Sequence, residues 1–214
     1  MIQGYLAVGK RCAVDFEQYK QFTKDEALAI LWEQGFRLVQ VDVVEEARKC
    51  IGTSRYRRGA GFYQAPFVLD CSTLTKWVYA KLGIWLPRHS IDQRQMGKRI
   101  SNSEFERGDL IFSVGRRSYW HDDAKDGVGH VGIVTGSGTV IHAANTARGV
   151  VEDPIERFVA GGFRGACRIK THKTVTLESP SNRIVECSWE FRQILHPYLF
   201  PGRGQPEEVY HPFE

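Results

Sequence analysis

The sequence predicts an α+β fold, with helices in its first half and hairpin-connected strands after them. Helix-capping signals punctuate residues 20–95, and short Val-, Ile- and Phe-rich runs separated by glycine-bearing turns take over after residue 105. The 214 residues, 42% hydrophobic and 25% charged, are ordinary for a globular chain and exclude collagen-like, coiled-coil and wholly disordered classes. A chain of this length can bury a real core.

The first helix opens at Thr23-Lys24-Asp25-Glu26, a capping box followed by Ala27, Leu28, Leu31 and Trp32 and stopped at Gly35. A second spans residues 42–52, with Asp42 as cap, Glu45 three residues on, and Val43, Val44, Ala47, Cys50 and Ile51 as its apolar stripe. The third runs over 71–82 behind an Asp70 cap, turns Leu74, Trp77, Val78 and Leu82 inward and stops at Gly83. Ser90-Ile91-Asp92-Gln93 reads as a further capping box, opening a short helix that ends near Gly97. Strands are expected at 109–114, 130–134, 138–144, 150–152 and 163–169. The expected organisation is a helical extension over 1–40, a catalytic-type domain over 41–172 and a Pro- and charge-rich extension over 173–214. Trp32, Trp85 and Trp189 read as core or packing residues.

Twenty-nine Lys and Arg against 25 Asp and Glu leave a net charge of +4, too small to argue for nucleic acid. No run approaches the ~18 apolar residues that span a bilayer. Residues 1–9 lack the basic start and apolar stretch of an export signal, so the chain as given reads as soluble and cytoplasmic, or as a processed form of a secreted or phage-associated protein. The composition leaves the oligomeric state open. The five cysteines, at 12, 50, 71, 167 and 187, are odd in number and scattered, which argues against a disulfide framework and a four-ligand zinc site. No metal and no cofactor is expected. His121-Asp122-Asp123 reads as a solvated loop rather than a cation site.

Cys71 has a reactive address. It sits in the first turn of a capped helix, where unpaired N–H groups and the positive end of the dipole favour a thiolate. His130 and His142 lie on successive strands joined by Thr135-Gly136-Ser137. If Val134 pairs with Gly138, the two histidines become directly opposed neighbours on one sheet face. A thiol with two neighbouring imidazoles suits acyl transfer: Cys71 as nucleophile, His130 as general base, and His142 holding the His130 ring.

These residues carry a resemblance. Asp70-Cys71-Ser72-Thr73-Leu74 resembles the Asp-Cys-Ser-Gly-Leu signature of NlpC-type cysteine peptidases. Residues 44–56 (VEEARKCIGTSRY) are similar to the family's lead-in helix and tyrosine, and Leu86-Pro87-Arg88-His89-Ser90 with Gln93 to the segment after its nucleophile helix. Arg107-Gly108-Asp109-Leu110-Ile111-Phe112, Gly129-His130-Val131-Gly132-Ile133 and Ile141-His142-Ala143 follow in family order, and the whole match covers residues 42–170.

The resemblance implies a circularly permuted papain-like fold, a nucleophile helix packed on an antiparallel sheet. It implies a peptide, muropeptide-like substrate cut between γ-D-glutamyl and a diamino acid. It assigns Cys71, His130 and His142 as catalytic, and Tyr56, Asp70 and Ser72 to shaping the oxyanion region and substrate site. Arg57 and Arg58 are further candidates for a substrate carboxylate. Thr73 stands where the family has glycine and is expected to narrow a subsite, while 118–129 lengthens a connection and is expected at the cleft rim. An acyltransferase or thioesterase on the same thiol site, and a peptide-binding domain without catalysis, stand as alternatives.

Overall fold

A computed structural model of the chain describes residues 7–101, 104–169 and 173–202. The first half holds β1 (Arg11–Asp15), α1 (Lys24–Glu33), β2 (Arg37–Val39), α2 (Val43–Arg48), β3 (Arg55–Tyr56), β4 (Val68–Leu69), α3 (Cys71–Lys81) and α4 (Ser90–Gln93). The second half holds β5 (Lys98–Ile100), β6 (Leu110–Ser113), β7 (His130–Val134), β8 (Thr139–Asn145), β9 (Gly149–Pro154), α5 (Ile155–Val159), β10 (Phe163–Arg168), β11 (Thr174–Glu178) and α6 (Glu190–Leu199).

The apolar runs after residue 105 build one antiparallel sheet of six strands, in the order β5-β10-β6-β7-β8-β9. Alternation along each strand gives it two apolar faces. Leu110, Phe112, Val131, Ile133, Ile141 and Ala143 face α2 and α3, meeting Val44, Ala47, Leu74 and Val78 in the main core. Ile111, Val134, Val140 and Ala166 face the other way, against Phe158 of α5. Each fully buried Leu or Ile here contributes roughly 1.5–3 kcal/mol. Asp109, 2% exposed, receives a forked ion pair from Arg168 that ties the approach to β6 to the end of β10.

The capping signals hold at α1, where Thr23 and Glu26 form the reciprocal pair, and at α2 and α3, where Asp42 and Asp70 accept first-turn N–H groups. The box at Ser90 does not form. Ser90 is already helical, and Gln93 turns inward to bond the Thr75 hydroxyl and the carbonyls of Ser72 and Pro87, bracing α4 against α3.

Residues 1–40, expected as helical, instead place one α-helix between two strands. β11 pairs with both β1 and β2, so residues from before and after the six-stranded sheet fold together into a three-stranded sheet. Under it lies a separate core of Val14, Leu31, Phe36, Leu177, Phe191 and Leu195, which the packed faces of α1 and α6 complete. β1 and β2 show no period-two alternation, and although Thr174-Val175-Thr176-Leu177-Glu178 does alternate, it is a strand only with them as partners. The start of the chain and the prolines Pro206 and Pro212 lie outside the described residues. Trp32, Trp85 and Trp189 are exposed rather than in the core, and Arg37 and Lys76 lie over the first two rings. Among the described residues no helix is long and apolar enough to cross a membrane.

Candidate active site

Cys71 is the first residue of α3, and Asp70 holds it there. The Asp70 carboxylate accepts the Thr73 N–H (2.9 Å), the Gly59 N–H (2.9 Å) and the Ser72 hydroxyl (3.3 Å), and Arg88 forks onto it at 2.5 and 3.3 Å. Arg88 also donates to Ser72 Oγ at 2.8 Å. Asp70 and Ser72 thus fix the helix start and the 57–61 loop while also lining the cleft beside Cys71. The helix-start amide of Ser72 does favour a thiolate, but burial outweighs it. Burial first and the Asp70 charge second push the Cys71 thiol up to about 11, against the backbone amides of Val131 and Ser72 and the Arg88 charge.

The two histidines meet by a different register from the one expected. Val134 pairs with Val140 and Ile133 with Ile141, because Gly136 and Gly138 both take positive φ (84° and 80°) and together form the turn. With both glycines in the turn, the strands stagger by two residues. The even shift keeps both histidines on one face as diagonal neighbours, within reach of aromatic rings. His130 Nε2 lies 2.8 Å from His142 Nδ1, with ring centroids 4.9 Å apart and planes at 84°.

The register carried back sets Gly132 beside His142. A Cβ there would come within 2.3 Å of Val140 Cγ1 and 3.2 Å of His142 Cβ, so only glycine leaves the ring its place. Phe158 lies beneath both imidazoles, stacked on His130 at 5.1 Å and edge-on to His142 at 4.9 Å. Burial pushes His130 down to about 3, helped by the neighbouring His142. Burial also lowers His142, with Asp153 opposing.

Asp153 completes the row. It is 4% exposed, its Oδ2 lies 3.1 Å from His142 Nε2, and Arg148 grips both its oxygens at 2.7 Å. Arg148 first, and His142 with it, hold the carboxyl at about 2. An ionised carboxylate only accepts, so His142 carries its proton on Nε2 and presents the Nδ1 lone pair. His130 must then donate from Nε2, which leaves Nδ1 as its basic atom. One buried carboxylate thus sets the tautomers of both rings.

Cys71 and His130 line one cleft of about 880 Å³ together with Tyr56, Arg57, Arg58, Asp70 and Ser72. His142 stands behind His130 and does not line it. Tyr56 is close enough to Cys71 and Asp70 for their charges to add to the burial that raises its phenol. Arg57 bonds the Gln64 amide, and Arg58 reaches the Tyr119 hydroxyl at 3.3 Å. Tyr119 also tilts against His89 at 5.5 Å, so part of the 118–129 connection does form the rim.

Thr73 does not narrow the cleft. It is 1% exposed and points into the protein, donating to the Ala60 carbonyl at 2.9 Å and fastening the loop that carries the two arginines. His121 meets Asp92 at 3.3 Å, and among the described residues no three His, Cys, Asp or Glu side chains gather to hold a metal. All five cysteines are thiols. Cys12, Cys50 and Cys167 are buried, and burial pushes Cys12 and Cys167 up to about 12.

Sequence reading missed Asp153, Arg148 and Phe158. Asp153 lies one residue beyond the strand expected at 150–152. Extending that strand by a single residue puts an acid on the His142 face.

The family model described as NlpC/P60 family matches residues 52–163, just over half of the chain. A Corynebacterium glutamicum protein named "probable endopeptidase" is 35% identical over 114 residues, 53% of this chain and 47% of that protein. A Bacillus cereus γ-D-glutamyl-L-lysine dipeptidyl-peptidase is 35% identical over 89 residues, 42% of this chain and 25% of its own length. The matched region thus spans half or less of these relatives. The crystal structure of an NlpC/P60 family protein from Bacillus cereus superposes with a TM-score of 0.52 at 27% identity, covering 63% of this chain and 42% of that one.

Proposed function

The chain belongs to the NlpC/P60 family, and on that premise we propose that it is a cysteine peptidase hydrolysing an amide bond of cell-wall-type peptides, between γ-D-glutamyl and a diamino acid. The single observation that carries the reading is the hydrogen-bonded row Asp153–His142–His130, ending in the cleft that Cys71 lines. The activity named for the Bacillus cereus relative supports the choice of bond.

With the thiol raised and the imidazole lowered, the resting pair is neutral thiol and neutral imidazole. As Sγ attacks the amide carbonyl, its proton passes to His130 Nδ1. The growing imidazolium is stabilised through His142 by the Asp153 charge. The Cys71 N–H at the helix start and the Tyr56 hydroxyl are the donors offered to the oxyanion. Collapse returns the proton from Nδ1 to the leaving amine and leaves a thioester on Cys71. Water, deprotonated by the same Nδ1, then attacks the thioester, releasing the γ-glutamyl carboxylate and restoring the thiol.

The test is digestion of defined muropeptides, with the cleaved bond identified by mass spectrometry and Cys71→Ala as blank. Wild-type cleavage at the γ-D-glutamyl bond, absent in Cys71→Ala, is expected. Equal and negligible turnover by both proteins overturns the reading.

A further inference from the structure

Five arginines line the cleft: Arg57, Arg58, Arg88, Arg116 and Arg117. Asp70 is the single carboxylate among the lining residues, and Arg88 already neutralises it. Four guanidinium groups remain around the nucleophile. Arg57 and Arg58 bond only neutral partners, the Gln64 amide and the Tyr119 hydroxyl, and Arg116 and Arg117 are exposed. Among the described residues none of the four meets a carboxylate, whereas Arg48, Arg94, Arg107, Arg148 and Arg168 elsewhere each do.

Four guanidinium groups without a carboxylate partner among the described residues thus share one concave site. Like charges crowded in a cleft focus the field on whatever enters. A guanidinium fork matches a carboxylate in two hydrogen bonds and loses both when the carboxylate becomes an amide.

Resting on the peptidase reading above, we propose that the cleft selects peptides with two or more free carboxylates beside the scissile bond. Arg116 and Arg117 of one connection, and Arg57 and Arg58 of another, are the recognition groups. A γ-linked glutamyl residue keeps its α-carboxylate next to that bond, and a diamino dicarboxylic acid brings another. Stem peptides carrying free acids are then the substrates, and amidated stems are poor ones. The arginines come from two separate connections, β3–β4 and β6–β7, so the selectivity belongs to the folded cleft and not to one motif.

The experiment uses four synthetic L-Ala-γ-D-Glu-diaminopimelate peptides, all with the C-terminal α-carboxylate capped as an amide, that differ at the two remaining carboxylates, the glutamyl α and the diaminopimelate side-chain one: both free, either one amidated, and both amidated. kcat/KM is expected to fall about 10-fold or more with each amidation, mainly through KM, as loss of a charge-assisted pair implies. Arg116→Gln/Arg117→Gln is expected to bring the diacid-to-diamide ratio toward one. Arg116→Lys/Arg117→Lys, which keeps the charge and loses the fork, is expected to retain an intermediate ratio. Equal rates on diacid and diamide, or an unchanged preference in the glutamine pair, overturn the proposal.

Calorimetric binding of the same peptides to Cys71→Ala separates the two readings. Preferential diacid binding without any wild-type cleavage upholds the anion selectivity and removes the hydrolysis. Cleavage of all four peptides at one rate removes the selectivity and leaves the hydrolysis.

Discussion

His142 Nε2 lies 3.1 Å from Asp153 Oδ2, and that contact decides which nitrogen of His130 is basic. Replacing the carboxylate by an amide offers His142 a donor as well as an acceptor and releases both tautomers. Asp153→Asn is therefore expected to lower kcat by about 10²–10⁴-fold, the range seen when a triad acid loses control of its imidazole, with KM little changed. Steady-state kinetics with melting curves checks it. A kcat within about twofold of wild type removes Asp153 from the relay.

The buried rings make both activity and stability depend on pH. His130 is held at about 3 against an ordinary 6.5, so the unfolded chain binds a proton there that the folded one does not. The contribution of neutral His130 is complete above pH 6.5 and is lost as pH falls from 6.5 toward 3. The slope approaches about 1.4 kcal/mol per pH unit for one proton. Asp153, held at about 2, weighs in only below its ordinary 3.8. Urea unfolding at pH 7, 6, 5 and 4 is expected to show a shallower decline for His130→Gln than for wild type. In kinetics, the acid limb of kcat/KM is expected below 6.5 and the alkaline limb toward 11, the Cys71 value. An acid limb at or above 6.5 contradicts the buried, neutral base.

Gly132→Ala tests the room given to His142. The added methyl would stand 2.3 Å from Val140 Cγ1 and 3.1 Å from Phe158 Cε2, both well-packed groups. Overpacking of this kind costs about 1–3 kcal/mol, and the relief route displaces the His142 ring. A lowered Tm and a lowered kcat together are expected. Full activity at an unchanged Tm shows that the strand pair can part without cost.

Thr73→Val separates a stitch from a subsite wall. The change keeps the shape and removes the hydroxyl that bonds Ala60, leaving a carbonyl unpaired. Stability is expected to drop by about 1–3 kcal/mol without a change in which muropeptides are cut. Chemical denaturation and the same digestion panel measure the two effects. Altered substrate choice at full stability returns Thr73 to the cleft wall.

Local signals were legible wherever one residue type answers one backbone need. Asp42 and Asp70 cap helices because a carboxylate satisfies first-turn N–H groups. The parity that keeps His130 and His142 on one face survives a wrong register, since the error was two residues and the pleat repeats every two. Ser90 misled because its apparent box partner, Gln93, found better bonds in the interior. The outer strands were unreadable for another reason: β1 and β2 exist only as partners of β11, across more than 130 residues.

The sequence alone determined the α+β order of elements, the cysteine at a helix start, and two histidines on one sheet face with the family pattern around them. Only the tertiary structure decided the rest. Asp153 and Phe158 reach the histidines from a neighbouring strand and a following helix, and Arg148 reaches Asp153 from the strand's connection. Burial, not helix position, sets the protonation of Cys71 and His130. Four arginines from two connections gather in one cleft. Tautomers, desolvation and summed charge depend on what surrounds a residue in space, and chain order does not carry that information.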